Sequence, residues 1–241
     1  MTATLQGIHH HHEGQGNDAV DRDGHAVTIG SATTTTGADQ PGDLAATEEF
    51  FGPRAAKWEE RFPDDGPAYR RAVTELDPPE GGVALDVGCG TGRALPVLRE
   101  AVGRSGLVIG VDVTRAMLAE AKRAGRDGMA MLVRADAGNL PLPGGVVDVI
   151  LAAGLLPHCP DAAATLLELA RVTAPGGRLA IFHPVGRAAL AARHGRVPTD
   201  DDVMAPAQLC PALEAAALSV IEMDDGDDRY LALAVKRGRR R

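Results

Sequence analysis

Three glycines on alternate positions, Gly88, Gly90 and Gly92, interrupt the stretch "VALDVGCGTGRALPVL" (83–98) between a strand-like run and a helix-like run. Glycine lets the chain turn sharply and lets a ligand approach bare backbone. The helix that follows offers free N–H groups. Such a turn holds a nucleotide-like ligand, and its spacing limits which one. A phosphate-cradling loop needs Lys and then Ser or Thr after its last glycine, but Arg93 and Ala94 follow Gly92. The dinucleotide fingerprint G-x-G-x-x-G fails in both registers, because Arg93 or Leu95 stands where its third glycine belongs. What remains is G-x-G-x-G, preceded by Asp86.

Two more carboxylates stand at the ends of the next strand-like runs. Asp112, in "VIGVDVT", comes 20 residues after Gly92. A carboxylate at a strand end can accept both hydroxyls of a ribose. Thr114 is expected to cap the following helix, which would leave Asp112 to a ligand. Asp136, in "RADAGNLPLP", can accept from an adenine amino group beside the Ala137 N–H, or cap a turn. His158 in "GLLPHCPD" and His183 in "IFHP" can each take a proton near neutral pH or bond a loop. Cys159 adjoins His158, but sequence neighbours rarely bring their side chains together, so a cysteine nucleophile is not expected. Cys89 reads as a loop filler.

These residues require a scaffold of alternating elements. Strand-like runs are expected at 82–88, 106–113, 130–136, 146–153 and 177–184, with helices at 91–102, 114–125 and 161–173. The near-continuous apolar strands are those of a parallel sheet covered on both faces. Alternation of strand and helix gives a doubly wound α/β fold, whose ligands sit at the C-terminal strand ends. Helices near 186–194 and 206–217 follow. Two final runs, 218–224 and 229–237, joined by the acidic "DGDD", form an antiparallel hairpin.

Residues 43–80 read as a helical cap. Phe50, Phe51, Trp58 and Phe62 are four of the seven aromatic residues of the chain. They pack either on the sheet or as a lid over a pocket. With Tyr69 and the insertion at 184–210, they are expected to roof the site. Arg187, Arg193 and His194 in that insertion meet an acidic substrate or lie on a solvated face. Residues 1–42, with "TTTT" and His9–His12, are too poor in large apolar groups to offset chain entropy, and disorder is expected there. Residues 238–241 close the chain as a basic tail.

The 241 residues carry a net charge of −8, which argues against a general nucleic-acid binder. No apolar run is long enough to span a bilayer and no signal peptide is recognised. Three scattered cysteines indicate no disulfide framework, so a cytoplasmic setting is expected. No metal site is expected.

The ordered set "LDVGCGTGR", "VIGVDVTRAML", "RADAGNLPLPGGVVDVI" and "RVTAPGGRLAIF" resembles the class I S-adenosylmethionine-dependent methyltransferases, over about residues 45–237. The resemblance implies a Rossmann-like, seven-stranded sheet of order 3-2-1-4-5-7-6 with an antiparallel last strand. It implies S-adenosyl-L-methionine as cofactor, with Asp86, Gly88, Gly90 and Gly92 around its methionine end and Asp112 on the ribose. Val113 and Met117 would flank the adenine, Asp136 and Ala137 would read its edge, and main chain near Ala153 and Gly154 would receive the amino group. The implied reaction is methyl transfer to an O, N or C atom of a small molecule, by in-line displacement, with His158 or His183 as general base. A cofactor-binding, non-catalytic partner protein and a nicotinamide oxidoreductase are the alternatives. The acceptor and the oligomeric state are not legible.

Overall fold

A computed structural model describes residues 18–20, 26–28, 43–62 and 65–238. Within the stretch expected to be disordered, Asp18–Val20 and Ala26–Thr28 pair as a short antiparallel ribbon. The rest of 1–42, including His9–His12, lies outside the described residues, as do 239–241.

The cap comes first. Helix α1 (Asp43–Phe51) runs into a 3-10 turn at Gly52–Lys57, short helix α2 (Trp58–Arg61) and helix α3 (Gly66–Leu76). Pro53 lies in the first positions of the 3-10 turn, where it forfeits no intrahelical hydrogen bond. The αβ units follow: β1 (Val83–Val87), α4 (Leu95–Val102), β2 (Leu107–Asp112), α5 (Arg115–Arg123), β3 (Met131–Arg134), β4 (Val147–Ala153), α6 (Ala162–Val172) and β5 (Thr173–His183). Helices α7 (Arg187–Arg193) and α8 (Pro206–Ala215) then lead to β6 (Leu218–Asp225) and β7 (Tyr230–Lys236).

The seven strands lie in the order β3-β2-β1-β4-β5-β7-β6. Strand β7 is antiparallel to both neighbours, and the other pairings are parallel. This is the expected order and the expected hairpin. The strand direction of assembly reverses between β1 and β4, so a crevice opens at their C-terminal ends.

Strand period sorts the core into two layers. Val83, Leu85 and Val87 face one layer, with Leu166 and Leu169 of α6 and Leu209 and Leu213 of α8. Ala84, Leu151, Ala180 and Phe182 face the other, with Leu76 of α3 and Leu95 and Leu98 of α4. All five residues of β1 are buried. The sheet is therefore dry on both sides, as its apolar runs require.

Two boundaries differ from expectation. Helix α4 starts at Leu95 rather than at residue 91, because the glycine turn occupies 91–94 and Pro96 must sit where its missing N–H is harmless. Strand β5 begins at Thr173, the last residue of the expected helix, and takes in the expected loop at 174–176. Its register against β4 jumps from Val147↔Thr173 to Val149↔Arg178, so Ala174–Gly177 bulge out between the two pairings.

The end of the chain fastens the insertion. Buried Tyr230 donates its hydroxyl to the Met204 carbonyl at 2.8 Å. Arg229, also buried, bonds Asp224 at 2.7 Å and Glu75 of α3 at 2.6 Å, tying the hairpin to the cap. The end of β7 is pinned too: the Lys236 ammonium donates to the Thr173 carbonyl at 2.6 Å. Among the described residues, no helix is long and apolar enough to cross a membrane.

Candidate active site

Gly88, Gly90 and Gly92 all adopt positive φ, at 71°, 56° and 82°. Only glycine reaches that region without strain. A Cβ on Gly92 would stand 2.6 Å from Leu95 Cδ1, so the turn also closes too tightly for a side chain. Gly90 is different. A Cβ there would meet only Met117 Sδ, at 3.9 Å, and otherwise open space. The backbone at Gly90 thus faces a cradle, and buried Met117 forms its flank.

Asp112 closes the base of this cradle. One of its carboxylate oxygens accepts from the Gly90 N–H at 2.7 Å and the other from the Thr114 N–H at 2.7 Å. Thr114 makes no side-chain cap on α5, contrary to the expectation that it would free Asp112. Asp112 instead holds the Thr114 N–H itself, so the carboxylate is part of the loop rather than free of it. Each carboxylate oxygen carries a second lone pair, one of them facing the Thr114 hydroxyl, so Asp112 keeps capacity for a further donor. Burial raises its carboxyl above the usual range, and these two bonds pull against that.

Asp86 is fully enclosed, and its Oδ1 has no hydrogen-bond partner among the described residues. Burial, with the Asp112 charge nearby, pushes its carboxyl up to about 8. A buried polar atom without a partner is costly in the protein alone. Here it marks a place where a donor or cation belongs.

Asp136 forms a turn: its Oδ1 accepts from the Gly138 N–H at 2.9 Å and its carbonyl from the Asn139 N–H at 3.1 Å. The other carboxylate oxygen stays open beside half-buried Ala137. The Val113 carbonyl accepts from Arg134 Nε at 2.9 Å, which steadies the loop after β2. At the tip of β4, Gly154 donates to the Phe182 carbonyl at 2.8 Å, leaving the carbonyls of Ala153 and Gly154 nearby.

The two histidines converge on this tip. His183 Cδ2 would lie 3.7 Å from a Cβ on Gly154. Its Nδ1 is 2.8 Å from the Val185 carbonyl, the shorter of two contacts with that residue's backbone. A proton on Nδ1 leaves Nε2 with a free lone pair. His158 sits in the turn after β4, its ring against Phe51 (centroids 4.9 Å, edge-on) and Phe50 (6.3 Å, stacked). Burial lowers the pKa of both rings, and the neighbouring His183 lowers that of His158 further. Both are neutral at pH 7. Cys159 instead donates to the Leu155 carbonyl at 3.6 Å, and burial raises its thiol.

The aromatic residues of the cap form a chain over the turn after β4. Phe51 meets Trp58 at 5.6 Å, and Trp58 meets Phe62 at 5.0 Å. Among the described residues, the ring–ring contacts of Phe50, Phe51, Trp58 and Phe62 are with one another and, for Phe50 and Phe51, with His158. Tyr69, by contrast, packs edge-on against Phe182 of β5 at 5.3 Å.

Sequence reasoning missed the residues that hold the cap down. Glu59 of α2 accepts from the Thr91 hydroxyl at 2.5 Å and from Arg126 Nη1 at 2.8 Å. Burial would raise the Glu59 carboxyl, but the hydrogen bonds from Arg126 and Thr91 hold it below its usual value. Arg126 also donates to the Thr91 carbonyl, and Arg93 to Asp65 at 3.0 Å and to the Phe62 carbonyl. On the other flank, Glu48 accepts from the Arg115 N–H at 3.2 Å and from Arg134 at 3.0 Å. Arg93 adjoins the last glycine and was the one member with a visible signal. Arg187 is already engaged by Asp202 and Asp225, each at 3.2 Å, so it offers no free charge to an acidic substrate. Arg193 and His194 are exposed.

Residues 85–181 match the family model described as "Methyltransferase domain". The chain is similar to a demethylmenaquinone methyltransferase of Staphylococcus saprophyticus, 41% identical over 46% of this chain and 48% of that protein. It is also similar to nocamycin O-methyltransferase of Saccharothrix syringae, 36% identical over 49% of this chain and 44% of that protein. The chain thus spans about half or less of the length of these curated relatives. A crystal structure of an S-adenosylmethionine-dependent methyltransferase from Aquifex aeolicus superposes with a TM-score of 0.58 at 26% identity, covering 80% of this chain and 98% of that one.

Proposed function

We propose, from the premise that this chain carries a class I S-adenosylmethionine-dependent methyltransferase domain, that it transfers a methyl group to a small molecule. The observation that carries this reading is the unpartnered Asp86 oxygen beside the open cradle at Gly90. A cationic, nucleoside-bearing cofactor fits both features. The relatives named for demethylmenaquinone and nocamycin support a small-molecule acceptor.

In this reading Asp112 accepts from the ribose with its remaining lone pair. Met117 and Val113 flank the adenine, and the open oxygen of Asp136 with the Ala137 N–H reads its edge. The Ala153 and Gly154 carbonyls receive the amino group, and Asp86 faces the positive end. When bound, S-adenosylmethionine supplies a methyl group already activated by its sulfonium charge. The protein's remaining work is to align the acceptor, exclude water and accept a proton where the acceptor must lose one. Alignment contributes most, since holding reactants in place is worth up to roughly 7–11 kcal/mol. The aromatic lid around Phe51 and Trp58 covers the acceptor side and excludes water. His183 Nε2 takes the proton, because its Nδ1 is fixed by Val185 and its ring stays neutral. His158, packed by two phenyl rings, shapes the acceptor's approach.

Calorimetry with S-adenosylmethionine, S-adenosylhomocysteine and NAD tests the cofactor. Binding of the first two alone is expected; heat with NAD only would overturn the reading. A screen of phenols, amines and enols with labelled methyl donor then identifies the acceptor atom.

A further inference from the structure

The connection from Arg134 of β3 to Val147 of β4 carries Asp136 and Ala137 and forms no helix. Its turn at Asp136–Asn139 buries little of its own, since Gly138 and Asn139 are exposed. Such a turn keeps one position only where its ends are held. One end is held from β2: the Ala135 N–H donates to the Asp112 carbonyl at 3.3 Å.

The other end is harder to hold. In "LPLP" (140–143), Pro141 and Pro143 have no N–H, so no strand ladder can form. Leu140 and Leu142 are nevertheless buried, in the layer that contains Leu166 and Leu169 of α6. Their carbonyls therefore need donors from elsewhere. Arg171, in the last turn of α6, supplies them. Its Nη1 donates to the Leu142 carbonyl at 2.9 Å and its Nη2 to the Leu140 carbonyl at 3.1 Å. Glu168, one turn earlier, accepts from the Leu140 N–H at 2.7 Å.

The two side chains also lock each other. Arg171 Nε donates to Glu168 Oε2 at 2.6 Å, and Nη2 to Oε1 at 2.7 Å. Burial would raise the Glu168 carboxyl, but the bonds from Arg171 and the Leu140 N–H hold it below its usual value. The Arg171 carbonyl completes the clasp by accepting from the Gly145 N–H at 2.9 Å.

This clasp begins one residue beyond the Asp136 turn. The Asn139 N–H donates back to the Asp136 carbonyl at 3.1 Å, so holding Leu140 holds the residue that closes the turn. Within the turn, the Gly138 N–H takes Asp136 Oδ1 at 2.9 Å and leaves the other oxygen open. An unbroken run of bonds and adjacent residues thus links α6 to the oxygen that meets the adenine amino group in the reading above.

We propose that Glu168 and Arg171 are positioning residues that set the Asp136 carboxylate for the adenine amino group. The proposal rests on the cofactor reading and on the place of Asp136 in it. It adds two residues of α6 that act on the ligand only through the loop.

The test uses calorimetry on the full chain with two ligands: S-adenosylhomocysteine and its analogue lacking only the amino group of the adenine ring. The unaltered protein is expected to prefer S-adenosylhomocysteine by about tenfold, the worth of one hydrogen bond to a charged group. Arg171→Ala is expected to weaken S-adenosylhomocysteine about fivefold and to leave the analogue within about twofold, so that the preference falls to about twofold. Arg171→Lys cannot span both carbonyls and the carboxylate, and its preference is expected to lie between these two. If Arg171→Ala does not fold, Arg171→Lys decides. A purely structural role weakens both ligands alike. An unchanged ratio in a folded variant therefore overturns the proposal while the methyltransferase reading stands. No preference in the unaltered protein overturns it together with the role of Asp136. Failure of S-adenosylhomocysteine to bind the unaltered protein overturns the cofactor reading as well.

Discussion

The two halves of the site are built in opposite ways. At the ends of β1 and β2, the hydrogen bonds of Asp112 are made within a few residues or to the adjacent strand's loop, and Asp86 Oδ1 makes none among the described residues. Asp112 bonds the Thr114 N–H two positions on, and Gly90 lies on the neighbouring strand's loop. On the cap side almost nothing is local. Glu59 meets Thr91 32 residues away and Arg126 67 residues away, and Glu48 meets Arg134 86 residues away. The first half is a backbone device with little freedom to vary. The second is a set of side chains clasping a separate helical segment, open to changing its occupant without disturbing the sheet.

The contrast is sharpest in substitutions that strike one half only. Asp112→Ala leaves two backbone N–H groups without their acceptor and removes the carboxylate proposed for the ribose. Cofactor affinity is expected to fall by tenfold or more. Calorimetry on a variant shown by circular dichroism to be folded checks this, and unchanged affinity would break the assignment. Phe51→Ala strikes the lid, where Phe51 touches both Trp58 and His158. The acceptor KM is expected to rise about fivefold, from lost aromatic contact, with cofactor affinity within a factor of two. Steady-state kinetics at saturating cofactor reads it, and a change confined to cofactor binding would erase the distinction between the halves.

Glu59 stands on the seam. Glu59→Gln keeps the shape and removes the charge shared with Arg126 and Arg93. Because this carboxylate is half-exposed, only about threefold is expected, spread over both cofactor affinity and acceptor KM. The difference from the unaltered protein should vanish by about 1 M salt, where charges are screened within about 3 Å. A penalty that persists at high salt would assign Glu59 a role beyond the ion pairs.

The smallest effect is a proton. Asp86 is protonated in the folded protein below about 8 and ionised above 3.8 when unfolded. The folded state therefore loses stability as pH rises from 3.8 to about 8, and is indifferent beyond. A bound cation favours the carboxylate, so S-adenosylmethionine binding near pH 7 should release up to about one proton. Calorimetry in buffers of different ionisation enthalpy measures it. Asp86→Asn should abolish the release and flatten the stability profile, and a variant that still releases the proton would place its source elsewhere.

The glycine loop was legible because its requirement is local: three positive φ values in five residues admit little but glycine. The strand ends were legible because burial on both faces writes continuous apolar runs. Thr114 misled because its own N–H is the group Asp112 holds, two positions on, a contact that only the folded loop shows. The APGG segment misled because a bulge and a loop carry the same residues.

Residue order alone determined the doubly wound sheet, its terminal hairpin and the carboxylates at successive strand ends, since period and turn chemistry act over a few residues. Only the tertiary structure decided that Phe50 and Phe51 meet His158 and that Arg187 is engaged by Asp202 and Asp225. Those contacts join residues far apart in the chain. Their partners are chosen by how the layers pack, and no spacing within a segment encodes that choice.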